Sequence, residues 1–313
     1  MVTIDDVRMA HERIRPWIHR TPVLTSLYFN TRFHAEIYFK AEHLQKTGAF
    51  KARGAMNAVM GLAAEAAKRG VVTHSSGNHA QALAWASRIH GVPCTVVMPS
   101  NAPDAKRAAV RDYGADIVTC EPTLTSREET VAEIVRQTGK HLIPPYNDER
   151  VIAGQGTAAL ELFEDVADLD VMLAPVGGGG LMSGTAVVAR AIGGSAINVV
   201  GAEPELAAEA RESLRTGIIQ PPMPPVTIAD GLRTSLGDKT FAHLQQHNVT
   251  IITAREESIR EALILVYERL KCVVEPSATV TLGALLEQPD LIRGKRVGVI
   301  LCGGNVDVRQ MMK

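Results

Sequence analysis

"VMLAPVGGGGLMSG", residues 171–184, reads as an apolar strand, four consecutive glycines and the start of a helix. A strand with no charged residue is one covered on both faces, as in a parallel sheet. Bare backbone N–H groups at the mouth of a helix form a cradle for an anion, and phosphate suits it best. A tight turn needs one or two glycines, not four. Outward from this unit the same alternation recurs. Strands are expected over 70–76, 94–99, 115–120, 171–180, 197–204 and 296–305, and helices over 79–91, 104–114, 126–139 and 153–166. The pattern predicts an α/β fold of mostly parallel open sheets flanked by helices, with ligands beyond the carboxyl ends of the strands. The proline-rich stretch 218–231 reads as a loop and a weak domain boundary.

The composition sets limits. Of 313 residues, 46% are hydrophobic and 21% charged, the profile of a folded domain or two. A net charge of -1 and the lack of any basic run give no reason to expect nucleic acid as a partner. No apolar stretch is long enough to span a membrane, and the first residues lack the apolar core of a signal peptide, so a cytoplasmic protein is expected. Cys94, Cys120, Cys272 and Cys302 have no paired spacing and read as reduced thiols. The ten histidines show no metal-ligand spacing.

The second informative stretch is "HLQKTGAFKARGAMNA", residues 43–58. Lys46 reads as a surface lysine. Lys51 sits among aromatic and small residues, where burial would lower its pKa and suit it to bond an aldehyde. On these residues alone, a solvated lysine at a helix start is an equal reading. The glycine spacing in 177–184 does not fit the dinucleotide fingerprint, and no GxxxxGK occurs. A phosphate cradle plus an unusual lysine points to a phosphorylated aldehyde, pyridoxal phosphate. Three more strand-end loops qualify as site elements. In "HSSGNHAQ" (74–81), small residues at a helix mouth suit a carboxylate, although one such residue would serve as a helix cap. In "LCGGN" (301–305), Cys302 ends a strand; buried free cysteine is usually only a small hydrophobe. In "GAEPELAAEA" (201–210), Glu203 and Glu209 either complement a helix dipole or hold a divalent cation.

Together "TGAFKARGA", "HSSGNHAQAL", "VIAGQGT", "PVGGGGLMSG", "GAEP", "IADG", "EPSA" and "CGGNVD" resemble, in order and spacing, the serine racemase / threonine (3-hydroxyaspartate) dehydratase family. These are pyridoxal-phosphate enzymes of fold type II, like the tryptophan synthase β class. The resemblance runs from about Thr21 to Asp307. It implies a discontinuous large cofactor-binding domain, 1–69 and 148–313, and a small mobile domain, 70–147, that closes over the substrate. It implies a homodimer, and no C-terminal regulatory domain.

The resemblance also assigns roles. Lys51 matches the lysine that bonds the cofactor, with Phe50 at the ring face, and Asn78 matches the partner of the phenolic oxygen. Gly177, Gly178, Gly179 and Gly180 match the phosphate loop, and Cys302 the group facing the pyridine nitrogen. Ser75, Ser76, Gly77 and His79 match the loop that grips the substrate carboxylate. Glu203, the Ala207 carbonyl and Glu209 match a site for Mg²⁺, Ca²⁺ or Mn²⁺. Arg127 matches an arginine of the racemase-like members that faces a second substrate carboxylate. Tyr146 departs from the family, which tends to carry asparagine or phenylalanine there, close to the substrate side chain.

A neutral group at the pyridine nitrogen makes the ring a weaker electron sink and favours prompt loss of a β-leaving group. The implied reaction is β-elimination from L-serine, L-threonine or 3-hydroxyaspartate, with Lys51 removing the Cα proton, to give a 2-oxo acid and ammonia. The alternative is a serine racemase, with Lys51 and Ser76 as acid/base groups on opposite faces. A cofactor-binding paralogue without activity is a third reading, disfavoured by the intact Lys51, Asn78 and glycine loop.

Overall fold

The protein is described by a computed structural model covering residues 1–224 and 226–311. Among the described residues, ten strands form two sheets. β1 (Val23–Leu24), β2 (Glu36–Lys40), β7 (Val171–Pro175), β8 (Asn198–Pro204), β9 (Thr250–Ala254) and β10 (Arg296–Ile300) make a six-stranded sheet in the order β1-β2-β10-β7-β8-β9. Only the β1–β2 pair is antiparallel in it. β3 (Val71–His74), β4 (Cys94–Pro99), β5 (Asp116–Cys120) and β6 (His141–Leu142) form a wholly parallel sheet in the order β5-β4-β3-β6. The expected α/β fold with two mostly parallel sheets is therefore present. The smaller sheet is built from one internal stretch, and the larger from both sides of it.

Each sheet has its own apolar core. Every residue of β7 is buried, and Val171, Met172, Leu173 and Ala174 pack with Val297, Val299 and Ile300 of β10 under the larger sheet. Val71, Val96 and Met98 pack with Leu83 and Val110 around the smaller one. β1, β2, β6 and β9 are additional to the expected strands. The helix expected over 153–166 starts earlier, as Glu149–Asp165, because the Asp148 side chain caps it, accepting from Arg150 N at 2.8 Å and Val151 N at 3.4 Å. The strands expected to 180 and 305 stop at Pro175 and Ile300, where the chain turns into glycine loops. The expected loop 218–231 is irregular until a 3₁₀ turn at Asp230–Leu232; its Pro225 lies outside the described residues.

The helices Lys51–Met60 and Glu149–Asp165 pack backbone to backbone where Gly54 faces Gly154. A Cβ on Gly154 would stand 2.6 Å from Gly54 Cα and 2.7 Å from the Arg53 carbonyl oxygen. Neither neighbour is a side chain that can swing away. Gly154→Ala should therefore destabilise the protein by about 1–3 kcal/mol, as overpacking does. Urea unfolding measures this, and an unchanged midpoint would show that the two helices part freely.

Candidate active site

Five chain segments meet near the carboxyl ends of both sheets. The turn before Lys51 is zipped to the loop after β10: Phe50 N donates to the Cys302 carbonyl at 3.0 Å and Gly304 N to the Gly48 carbonyl at 2.9 Å. Asn305 Nδ2 donates to the Thr47 carbonyl at 2.7 Å, and Thr47 takes a left-handed φ of 58° to allow the turn. Lys51 then opens its helix with a half-buried side chain. Its Nζ lies 4.9 Å from the Phe50 ring centroid and donates to the Pro145 carbonyl at 2.7 Å. Pro145 lies on the crossing segment from β6 to the helix Glu149–Asp165.

Burial pulls the Lys51 pKa from its ordinary 10.5 down to about 8, with Cys302 and Glu275 opposing. Cys302 is buried, and burial, reinforced by the charge of Glu275, pushes its thiol well above the usual range. It is a neutral group at neutral pH.

Asn78 begins the helix Asn78–Ile89. Its Nδ2 donates to both oxygens of Glu275, at 2.9 and 3.1 Å, and its Oδ1 accepts from Asn305 Nδ2 at 2.9 Å. The amide is thereby fixed in orientation. Burial raises Glu275 to about 7, against the pull of the Asn78 bond. Sequence reasoning alone does not single out Glu275 or Asn305, although both lie in the quoted motifs "EPSA" and "CGGNVD".

The glycines of 177–180 line a tight cradle. Gly179 has φ +85°, and a Cβ there would stand 2.8 Å from Leu236 Cδ2. A Cβ on Gly178 would overlap the Tyr146 ring, and one on Gly180 would stand 2.9 Å from Tyr146 Cβ. Tyr146 thus packs on the glycine loop, and its hydroxyl shares a 3.0 Å hydrogen bond with Thr234.

Ser75, Ser76 and Gly77 are half-buried and link β3 to the Asn78 helix. The first N–H groups of that helix have no intrahelical acceptor and suit an anion. The His79 ring is buried; its Nε2 bonds the Ile143 carbonyl at 3.0 Å, and its pKa falls to about 3 through burial and the nearby Lys51 charge. His79 is therefore a neutral ring that ties the helix to the crossing segment. Arg127 is half-buried, and its Nε is buried without a partner. Its charge is felt at His74, the residue before Ser75.

Glu203 and Glu209 lie apart from this cleft, at the end of β8 and the start of the helix Glu209–Thr216. Glu203 accepts from Ala210 N at 2.9 Å and Arg211 N at 2.8 Å, and burial raises it to about 8. Glu209 Oε1 accepts from Met223 N at 2.6 Å, while its Oε2 is buried without a partner. Ala207 is buried in the turn between them. Among the described residues, no group of three or more His, Cys, Asp or Glu side chains is placed to hold a metal ion.

A depressed Lys51 pKa has a kinetic signature. Only the unprotonated amine attacks an aldehyde, so labelling of Lys51 by a small aldehyde and reductant should speed up with pH, reach half its final rate near pH 8 and level off above that. Peptide mapping across pH measures it, and a rate still climbing towards pH 10 would mean an ordinary lysine.

The sequence matches the family model described as pyridoxal-phosphate dependent enzyme over residues 14–303. It is 48% identical, over 99% of this chain and 98% of the relative, to the beta-hydroxyaspartate dehydratase of Paracoccus denitrificans. The crystal structure of the Dictyostelium discoideum serine racemase superposes with a TM-score of 0.93 at 47% identity, covering 98% of this chain and 99% of that one. The structure of maize serine racemase gives 0.95 at 40% identity, with 99% and 96% covered. No described helix is long and apolar enough to cross a membrane. A phosphate cradle and a lysine of lowered pKa are what such a cofactor requires, and the chain belongs to the pyridoxal-phosphate dependent enzymes.

Proposed function

We propose that this enzyme removes water from a 3-hydroxy amino acid to give a 2-oxo acid and ammonia, and that 3-hydroxyaspartate is its preferred substrate. The observation that carries the choice is the buried, unpartnered Nε of Arg127, whose charge reaches His74 at the entry to the Ser75–Gly77 loop. A buried guanidinium N–H without an acceptor is costly, and a second substrate carboxylate would satisfy it. The P. denitrificans relative is named for beta-hydroxyaspartate, which agrees with this reading.

The chain's own groups divide the work. Gly177 to Gly180 and the helix after them hold the cofactor phosphate, and Asn78, aimed by Glu275 and Asn305, bonds the phenolic oxygen. Phe50 flanks the ring and Tyr146 closes the site from the glycine-loop side. Bound pyridoxal phosphate supplies the electron sink for the bond broken at Cα. Ser75, Ser76, Gly77 and the N–H groups of the Asn78 helix, which His79 braces, take the α-carboxylate. Lys51, whose lowered pKa of about 8 leaves a useful share of free amine near neutral pH, removes the Cα proton. The neutral Cys302 thiol leaves the ring nitrogen without an anionic partner and favours departure of the 3-hydroxyl.

Segment 70–147 acts as the mobile domain that closes the cleft. The half-exposed Lys106–Asp230 pair, at 2.8 Å, joins the two sheet units. Such a pair is worth about 0.2–1 kcal/mol, little enough to break in each turnover.

The orphaned Glu209 oxygen beside the buried Glu203 fits a divalent cation, held by both carboxylates and the Ala207 carbonyl. It would fasten β8 to the following helix and take no part in the chemistry. Added Mg²⁺, Ca²⁺ or Mn²⁺ should raise the melting temperature of wild type and leave Glu209→Gln unmoved; equal curves with and without cation would remove this site.

Racemisation is the second reading, favoured by Ser76 in the substrate loop and by the similarity to serine racemases. A panel of serine, threonine and 3-hydroxyaspartate, scored for 2-oxo acid and for enantiomer, separates the readings. We expect elimination to dominate. Arg127→Gln should raise KM for 3-hydroxyaspartate about tenfold or more while sparing serine. Ser76→Ala should suppress racemisation while sparing much of the elimination. Racemisation faster than elimination on every substrate would reverse the assignment.

A further inference from the structure

Arg53 lies two residues after Lys51 in the same helix and is fully buried. Its Nε and Nη2 donate to Glu42 Oε2 and Oε1 at 2.7 and 2.8 Å. Its Nη1 and Nη2 donate to Glu161 Oε1 and Oε2, both at 2.8 Å, and Nη1 also reaches the Thr157 hydroxyl at 3.1 Å. Glu161 takes a second cation, Lys40, at 2.7 Å, and Lys40 Nζ donates to the Thr21 carbonyl. The Thr21 hydroxyl donates to Glu42 at 2.5 Å. The cluster holds two cations and two carboxylates, all sealed from solvent. It joins the Lys51 helix to β2, to the turn at Glu42 and to the helix Glu149–Asp165.

The Lys51 amine has no such framework. Among the described residues its one hydrogen bond goes to Pro145, on the segment leading into that same Glu149–Asp165 helix. The place of the amine is therefore inherited from the helix that carries it, and the strongest polar ties of that helix converge on Arg53. A guanidinium is a rigid planar fork that engages two carboxylates at once; an ammonium is not.

We propose that Arg53 is a positioning residue: through its fork to Glu42 and Glu161 it fixes where the Lys51 amine stands relative to the glycine cradle, without touching cofactor or substrate. This rests on the reading of Lys51 as the residue that bonds the cofactor.

The test compares holoenzyme of wild type, Arg53→Lys and Leu162→Ala, the last removing a buried apolar side chain from the helix that carries Glu161. Three quantities are read: melting temperature, cofactor dissociation on dilution, and the pH midpoint of the cofactor's visible absorbance. Both variants should melt lower. Arg53→Lys should also release cofactor about tenfold faster or more and move the absorbance midpoint, since small misplacements of a reacting group are costly. Leu162→Ala should change neither. Arg53→Lys with wild-type release and midpoint overturns the inference, as does Leu162→Ala changing both equally. If Arg53→Lys does not fold, Glu42→Gln, which weakens one arm of the fork, takes its place: faster release with a moved midpoint supports the inference, and wild-type values overturn it. A wild type that holds cofactor without a bond to Lys51 overturns both this inference and the reading beneath it.

Discussion

Two basic side chains two residues apart are handled in opposite ways, and the site depends on the difference. Arg53 is buried with full compensation: two carboxylates meet its fork, and a second cation balances the group. Removing one partner from such a cluster would cost about 3–5 kcal/mol, because a buried charge would be left unpaired. Lys51 is denied that compensation. Its amine meets a carbonyl and an aromatic ring, with no carboxylate among the described residues in salt-bridge contact, and its pKa falls to about 8. The first arrangement makes the helix rigid; the second makes its first residue reactive.

The remaining elements converge on that amine from far apart in the chain. The loop after β10 is bonded to the turn before Lys51, so Cys302 and Asn305 arrive with it. The crossing segment from β6 brings three groups within a few residues. The Ile143 carbonyl takes His79, the Pro145 carbonyl takes Lys51, and the Tyr146 ring covers the glycine loop. This segment touches Lys51, the helix that begins at Asn78 and the glycine loop 177–180 together. A shift of the smaller sheet unit is therefore transmitted to all three, which is how closure over a substrate would assemble the site.

Much of this is legible in the sequence because it is local. Four glycines after a buried strand carry their meaning within ten residues, and the serine loop before a helix and the lysine between phenylalanine and alanine gain theirs once set beside that loop. The expected strands are present where runs are long and apolar, as in β4 and β7. β2 and β9 are not anticipated, although "EIYFK" and "TIITA" are short β-rich runs, and the expected helix over 153–166 misses its first turn because the cap at Asp148 lies ahead of that range. The Arg53 cluster is not readable at all. Its partner Glu161 is 108 residues away, and nothing in "KARGA" distinguishes a clamped arginine from a solvated one. Glu275 and Asn305 escape notice for a related reason: they act on Asn78, and only the fold shows that contact. The divalent-cation site is a proposal that rests on one orphaned oxygen and a raised carboxylate pKa.

The central claim is that Lys51 is the amine that bonds pyridoxal phosphate. Borohydride reduction of the holoenzyme, followed by digestion and mass spectrometry, tests it most directly. The account predicts one phosphopyridoxyl adduct, on the peptide carrying Lys51, with the visible cofactor absorbance lost in step. An adduct on Lys46, Lys106 or any other lysine, with Lys51 unmodified, would contradict it.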